Sequence, residues 1–117
     1  MNIEEIRDYC IQKRGVTESF PFDDQVLVFK VMNKMFVLTN VESCESINLK
    51  CDPEKAIELR EQFMGIQEGY HMSKKHWNTV LIESDISRSL LLELIDHSYN
   101  LIVNKLTKKE KEGLSQL

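Results

Sequence analysis

Two β-rich runs, Val26-Leu-Val-Phe-Lys-Val31 and Lys34-Met-Phe-Val-Leu-Thr39, are separated by Met32 and Asn33 alone. Parallel neighbours need a crossover of about a dozen residues, so this spacing leaves an antiparallel hairpin as the pairing available to them. Asn33 suits the turn, because asparagine tolerates the left-handed backbone that a tight hairpin demands. A third run, Ser46–Cys51, alternates, with Ile47, Leu49 and Cys51 directed to a core and Asn48 and Lys50 directed away from it.

Helix signals surround these strands. Asn2 with Glu5 forms a capping pattern ahead of Ile3, Ile6 and Cys10, and that helix should stop near Gly15. The segment from Glu18 to Asp24 reads as a rigid loop around Pro21, with Phe20 and Phe22 pinning it to the core. Asp52 followed by Pro53 is a strong helix start, because Asp accepts orphan amide protons and Pro has none to leave unpaired. That helix should run to about Phe63. Gly65–Tyr70 and His76–Ile82 read as two further strands, joined by a polar tip over residues 71–75 that resembles a wing. From Ser87 onward, Leu91, Leu94, Ile95, Ser98, Ile102 and Leu106 form one helical stripe.

The predicted order is α-βββ-α-ββ-α: an α+β, two-layer domain over residues 1–106, with a five-stranded antiparallel sheet and three helices on one face. Residues 107–117 read as a basic, weakly helical, fraying C-terminal tail carrying Lys108, Lys109 and Lys111. At 117 residues, 42% hydrophobic and 29% charged, the chain has material for a packed core without staples. Its longest apolar runs, Val26–Phe29 and Met35–Leu38, are far short of the ~20 residues of a membrane span, so neither a span nor a signal peptide is expected. Cys10, Cys44 and Cys51 are odd in number and lack CxxC spacing, which fits reduced thiols of a cytoplasm.

Chemistry concentrates in one place. Tyr70–Asn78 holds His71, His76, Trp77 and the adjacent Lys74 and Lys75 in a chain whose net charge is −4. Lysines contact phosphates, an aromatic ring stacks on a base, and Asn78 hydrogen-bonds a base edge or phosphate. On a strand, His76 and Asn78 share one face and Trp77 takes the other, which makes His76 and Asn78 the expected contact pair. The competing reading places Trp77 in the core and uses His71 and His76 to hold the hairpin. Lys30, Lys34 and Lys50 would extend the patch across the sheet, or simply be solvated lysines that discourage edge pairing. His71 and His76 with Cys51 match no metal-ligand spacing, so no metal or cofactor is expected. With four glycines and neither a nucleophile elbow nor a phosphate-cradling loop, a catalytic role is not expected either.

Five segments together, Phe20-Pro-Phe-Asp23, Val28-Phe-Lys-Val31 before Lys34-Met-Phe36, Asn48–Pro53, Gly69–Thr79 and Asp96-His-Ser-Tyr99, resemble the MmcQ/YjbR family over roughly residues 3–105. The resemblance implies a bacterial two-layer domain with a five-stranded antiparallel sheet, similar in topology to type III secretion chaperones and compared with the frataxin-like fold. It also implies DNA binding. Asn33 and Ser87 depart from the glycine and proline that relatives often carry there. The expected function is therefore a non-catalytic, monomeric DNA-binding protein using Lys30, Lys34, Lys50, His71, Lys74, Lys75, His76, Trp77 and Asn78, with weak, salt-sensitive phosphate contacts. The alternative is a protein- or peptide-binding adaptor, and a third reading is a small-molecule site near His71 and Trp77.

Overall fold

The structure is a computed structural model and describes residues 1–70 and 72–117. In chain order it comprises α1 (Ile3–Ile11), β1 (Val16–Ser19), β2 (Val26–Val31), β3 (Lys34–Asn40), β4 (Ser46–Lys50), α2 (Pro53–Gln62), β5 (Ile66–Glu68), β6 (Trp77–Leu81), α3 (Arg88–Asn104) and α4 (Lys108–Ser115). The sheet is antiparallel and six-stranded, in the order β1-β2-β3-β4-β6-β5. The expected hairpin is β2–β3, and Met32 and Asn33 both take positive φ, 48° and 66°, in its turn.

Two expectations are corrected in number. The sheet has six strands and not five, because Val16–Ser19, expected to lie at a helix end and in a loop, pairs with β2 as an edge strand. Its side chains are too polar to announce a strand. What holds it is the ladder to β2 and the Arg7–Glu18 ion pair from α1, whose nitrogens lie 2.6 and 2.8 Å from the carboxylate oxygens. The tail, expected to be weakly helical and frayed, is a fourth formed helix. A capping box between Thr107 and Glu110 starts α4, and Leu114 is buried in the main core. Gly15, with φ 71°, closes the turn between α1 and β1 beside it, and a Cβ there would stand 2.5 Å from Leu114 Cδ1.

All four helices contribute to a core on one face of the sheet. Ile6 and Cys10 of α1, Ala56 and Leu59 of α2, Leu91, Leu94, Ile95 and Ile102 of α3 and Leu114 of α4 pack on Leu27, Phe29, Ile47, Leu49 and Val80. A bulge at Phe36 turns it inward beside Val37, so the two neighbours share the core face. The same bulge interrupts the β3–β4 ladder, and α3 repairs it. Ser98 Oγ donates to the Phe36 carbonyl at 2.6 Å and accepts from the Lys50 N–H at 3.0 Å.

A pH-sensitive contact sits where α2 begins. The Asp52 side chain caps α2, and the Asp52 N–H donates to His97 Nε2 at 3.2 Å, which requires a neutral imidazole. Burial, followed by the Lys55 ammonium, lowers the His97 pKa, and the Asp52 carboxylate only partly opposes this. The unfolded chain then takes up a proton that the folded chain resists, so stability should fall as pH drops below about 6.5 and level off once the folded imidazole protonates. The depressed carboxyls of Glu5, Asp23 and Glu110 act in a separate, lower window. We expect the thermal midpoint to decline between about pH 7 and 5.5, and the decline to flatten in His97→Gln, whose amide oxygen accepts the same bond without titrating. An equal slope in both proteins would contradict the assignment.

Candidate functional site

The other sheet face carries no helix, and strand register decides what it presents. Across β2, β3, β4 and β6, Val28, Leu38, Asn48 and Thr79 form one row, while Lys30, Met35, Lys50 and Trp77 belong to the next. Val28, Leu38 and Trp77 make a second, small apolar cluster here, flanked by Val26, Met35 and Met72. Two segments rise at its sides. The loop after β1 brings Phe22, and the segment after β5 brings Tyr70 and Met72, enclosing a groove of about 560 Å³.

The groove has apolar sides and a mixed floor. Phe22, Tyr70 and Met72 rise from the flanking segments, and on the sheet beneath them Val26, Met35 and Leu38 alternate with Asn40, Ser46, Asn48 and Thr79. Phe20 and Phe22 are 48% and 64% exposed, so they do not pin their loop to the core as expected. Gly69 sets the close approach of the Tyr70 side: its N–H donates to the Trp77 carbonyl at 3.0 Å, and a Cβ would come within 2.8 Å of that same backbone oxygen. A larger residue there would have to push β5 off β6.

The floor is wired. Thr79 Oγ1 accepts from the Tyr70 N–H at 3.0 Å, so its own proton goes to Asn48 Oδ1, 2.6 Å away. Asn40 Oδ1 accepts from the N–H groups of Glu42 and Ser43 at 2.9 and 3.1 Å. Both carboxamides thus have their oxygens engaged, while their N–H2 groups have no hydrogen-bond partner among the described residues.

The expected nucleic-acid residues scatter over this framework. Trp77 is 8% exposed and lies in the small cluster; Asn78 is 2% exposed and faces the helices. Asn78 is therefore a core residue and not a contact: its Nδ2 donates to the Ala56 carbonyl of α2 at 3.3 Å. Its pairing with His76 as the contact pair fails for this reason, and His76 is itself half-buried ahead of β6. Lys74 lies 3.3 Å from Glu68, and Lys34 lies 3.5 Å from Glu110, so both ammonium groups have acidic partners. Arg60 fixes the Lys74 carbonyl from α2. Lys75 is exposed and has no ion pair among the described residues, and Lys30 lies on the open face. Lys50 is half-buried on that face, with its pKa lowered by burial and then by Lys105 and Lys34. His71 lies outside the described residues.

Other chemistry is quiet. Among the described residues no group of three or more His, Cys, Asp or Glu is placed to hold a metal ion, and the three cysteines are free thiols. Burial pushes the thiol of Cys10 up to about 12 and that of Cys51 up to about 11, so neither is a thiolate at neutral pH. No helix among the described residues is long and apolar enough to cross a membrane. The Tyr9 hydroxyl donates to Asp96, and Lys13 pairs with Asp96 while lying over the Tyr9 and Tyr99 rings; this cluster ties α1 to α3.

Known proteins match this chain along its length. The crystal structure of the Deinococcus radiodurans protein DR2400, a domain of the family DUF419, superposes with a TM-score of 0.92 at 38% identity, covering 97% of this chain and 88% of that one. A crystal structure of a Pseudomonas syringae protein gives 0.74 at 28% identity, covering 86% and 98%. The uncharacterised Escherichia coli proteins are similar too: YbdF of strain O157:H7 is 39% identical over 80% of this chain and 77% of its own, and YjbR of strain K12 is 33% identical over the whole of both. The sequence model of the YjbR family matches residues 11–101, and with these relatives it makes the chain a member of the YjbR family.

Proposed function

We propose that the protein is a non-catalytic binding module whose working surface is the helix-free sheet face, and that its ligand is an extended segment of another protein. One observation carries this reading: a groove of about 560 Å³ lined by two exposed aromatic rings and two methionines, with the oriented amide donors of Asn40 and Asn48 set among apolar residues on its floor. Apolar walls take side chains, methionines adapt to different shapes, and amide donors meet backbone carbonyls.

Nucleic acid is the second reading, and one feature favours it: Lys30 and Lys50 share the open face, and Lys50 is close enough to Lys34 and Lys105 to be destabilised by them. An anion placed there would relieve the repulsion. Against it stand the acidic partners of Lys34 and Lys74 and the net charge of −4, which leave a weak patch that salt should abolish.

Selection of a random library of peptides of about 12 residues on the immobilised protein tests the first reading. Enriched peptides should bind the wild type and lose about 30- to 100-fold on a Met35→Glu/Met72→Glu double variant, the scale of losing an interface anchor. Both methionines are only partly buried, so the variant should fold. No enrichment over bare matrix, or equal binding to both proteins, would overturn the proposal.

A further inference from the structure

The groove continues past its acidic end. Ser43 and Glu45 line it and also line a second concavity of about 560 Å³ bounded by Cys44, Leu81 and Glu83. The side-chain carboxylates of Glu45 and Glu83 form no ion pair or hydrogen bond among the described residues, whereas those of Glu5, Glu18, Glu68 and Glu110 do; the Glu45 backbone carbonyl accepts from the Ile82 N–H at 2.9 Å. Two unpartnered carboxylates therefore lie along a surface path that runs directly out of an apolar, donor-floored groove. At the opposite end of the same face stand Lys30 and Lys50.

We infer that the groove recognises an extended peptide of defined polarity: apolar side chains over Met35, Leu38 and Met72, backbone carbonyls on the amides of Asn40 and Asn48, and an arginine or lysine reaching Glu45 and Glu83. This rests on the peptide-binding reading given above and adds the ligand's chemistry to it. The donor assignment follows from hydrogen bonds already made. Asn48 Oδ1 is taken by Thr79 and Asn40 Oδ1 by two backbone N–H groups, so each side chain offers only N–H outward. A floor of donors selects acceptors. The adjacent carboxylates disfavour an anionic acceptor such as a phosphate or a free carboxylate at this end, which leaves a neutral carbonyl followed by a cation.

The probes are fluorescein-labelled peptides of alternating Val and Ser ending in Arg-Arg or Glu-Glu at either terminus, followed by anisotropy at physiological salt. One Arg-ended peptide should bind at least about tenfold more tightly than its Glu-ended counterpart, since complementary charge at an interface sets partner choice. Glu45→Lys should reverse that preference. Asn48→Asp keeps the oxygen that Thr79 needs and replaces the outward donor by an acceptor, so it should weaken the Arg-ended peptide by about tenfold as well. Glu45 is exposed and Asn48 half-buried, and thermal midpoints close to wild type would show that the variants are folded.

The outcomes separate. If Arg- and Glu-ended peptides bind equally and both lose affinity on the Met35→Glu/Met72→Glu variant, the groove binds peptides and the polarity inference is wrong. If the preference exists but survives Glu45→Lys and Asn48→Asp unchanged, the inference is wrong about its residues. If no peptide binds at all, the peptide-binding reading itself falls.

Discussion

Asn78→Asp should lower stability by about 4 kcal/mol at a pH near 7.5, the largest effect expected of any near-isosteric change in this chain. Asn78 is 2% exposed, donates its Nδ2 to the Ala56 carbonyl, and its Oδ1 finds no partner among the described residues. A carboxylate in that place would be desolvated, would lack any donor, and would face a carbonyl lone pair. Its pKa should therefore rise by about three units, each worth about 1.4 kcal/mol. With the folded pKa above the unfolded one, the folded state binds more protons, so the deficit relative to wild type should shrink as pH falls towards about 5. Urea melts of both proteins at the two pH values read this directly. Asn78→Leu is the control: it removes the unpartnered oxygen and nearly conserves volume, and should cost less than about 1.5 kcal/mol. An Asn78→Asp protein as stable as wild type would mean that Asn78 faces solvent.

Ser98→Ala should cost about 2 to 4 kcal/mol and lower the thermal midpoint by roughly 8 to 15 °C. Ser98 is 0% exposed, and its hydroxyl is the connection between the Phe36 carbonyl and the Lys50 N–H where the bulge parts β3 from β4. Removing it strands a buried acceptor and a buried donor at once, each at about 1 to 3 kcal/mol. The Lys50 amide should then exchange with solvent well ahead of its neighbours in β4. A variant that melts within about 2 °C of wild type would show that the two strands close without the hydroxyl.

These two residues also mark what the sequence could and could not reveal. The β2–β3 hairpin, the Asp52-Pro53 helix start and the α3 stripe were legible because each rests on local chemistry, namely a two-residue turn, a cap and a 3.6-residue period. Ser98 was visible as a polar residue within that stripe, but its partners lie 62 and 48 residues away. Alternation correctly put Trp77 and Asn78 on opposite faces of β6. It could not say which face the helices cover, and the choice of Asn78 as outward was the wrong one of two. Phe20 and Phe22 looked like core anchors because aromatic residues usually are; here they stand beside the groove.

The missed elements share a cause. β1 is short and polar, with little intrinsic preference to read, and is held by β2 and Arg7; α4 has local signals in its Lys/Glu composition and its Thr107/Glu110 capping box, and what stayed hidden is its anchoring by Leu114 against Gly15 and the main core. The groove was less legible still. It depends on Phe22, Tyr70 and Met72 arriving from separate segments over strands whose outward side chains look individually ordinary. The histidine–lysine segment drew attention by composition, yet in space Glu68 pairs with its Lys74, and outside the segment Lys34 of β3 pairs with Glu110, 76 residues away.

An amide chemical-shift map by heteronuclear NMR, recorded separately with the Arg-ended peptide and with a DNA duplex of about 20 base pairs at about 150 mM salt, tests the central claim most directly. The account predicts peptide-induced shifts at Met35, Leu38, Asn48, Met72 and Thr79 and at the Asn40 and Asn48 side-chain amides, with no shifts from the duplex. Saturable duplex-induced shifts at Lys30, Lys50, Lys74 and Lys75, with the groove residues unmoved by peptide, would contradict it.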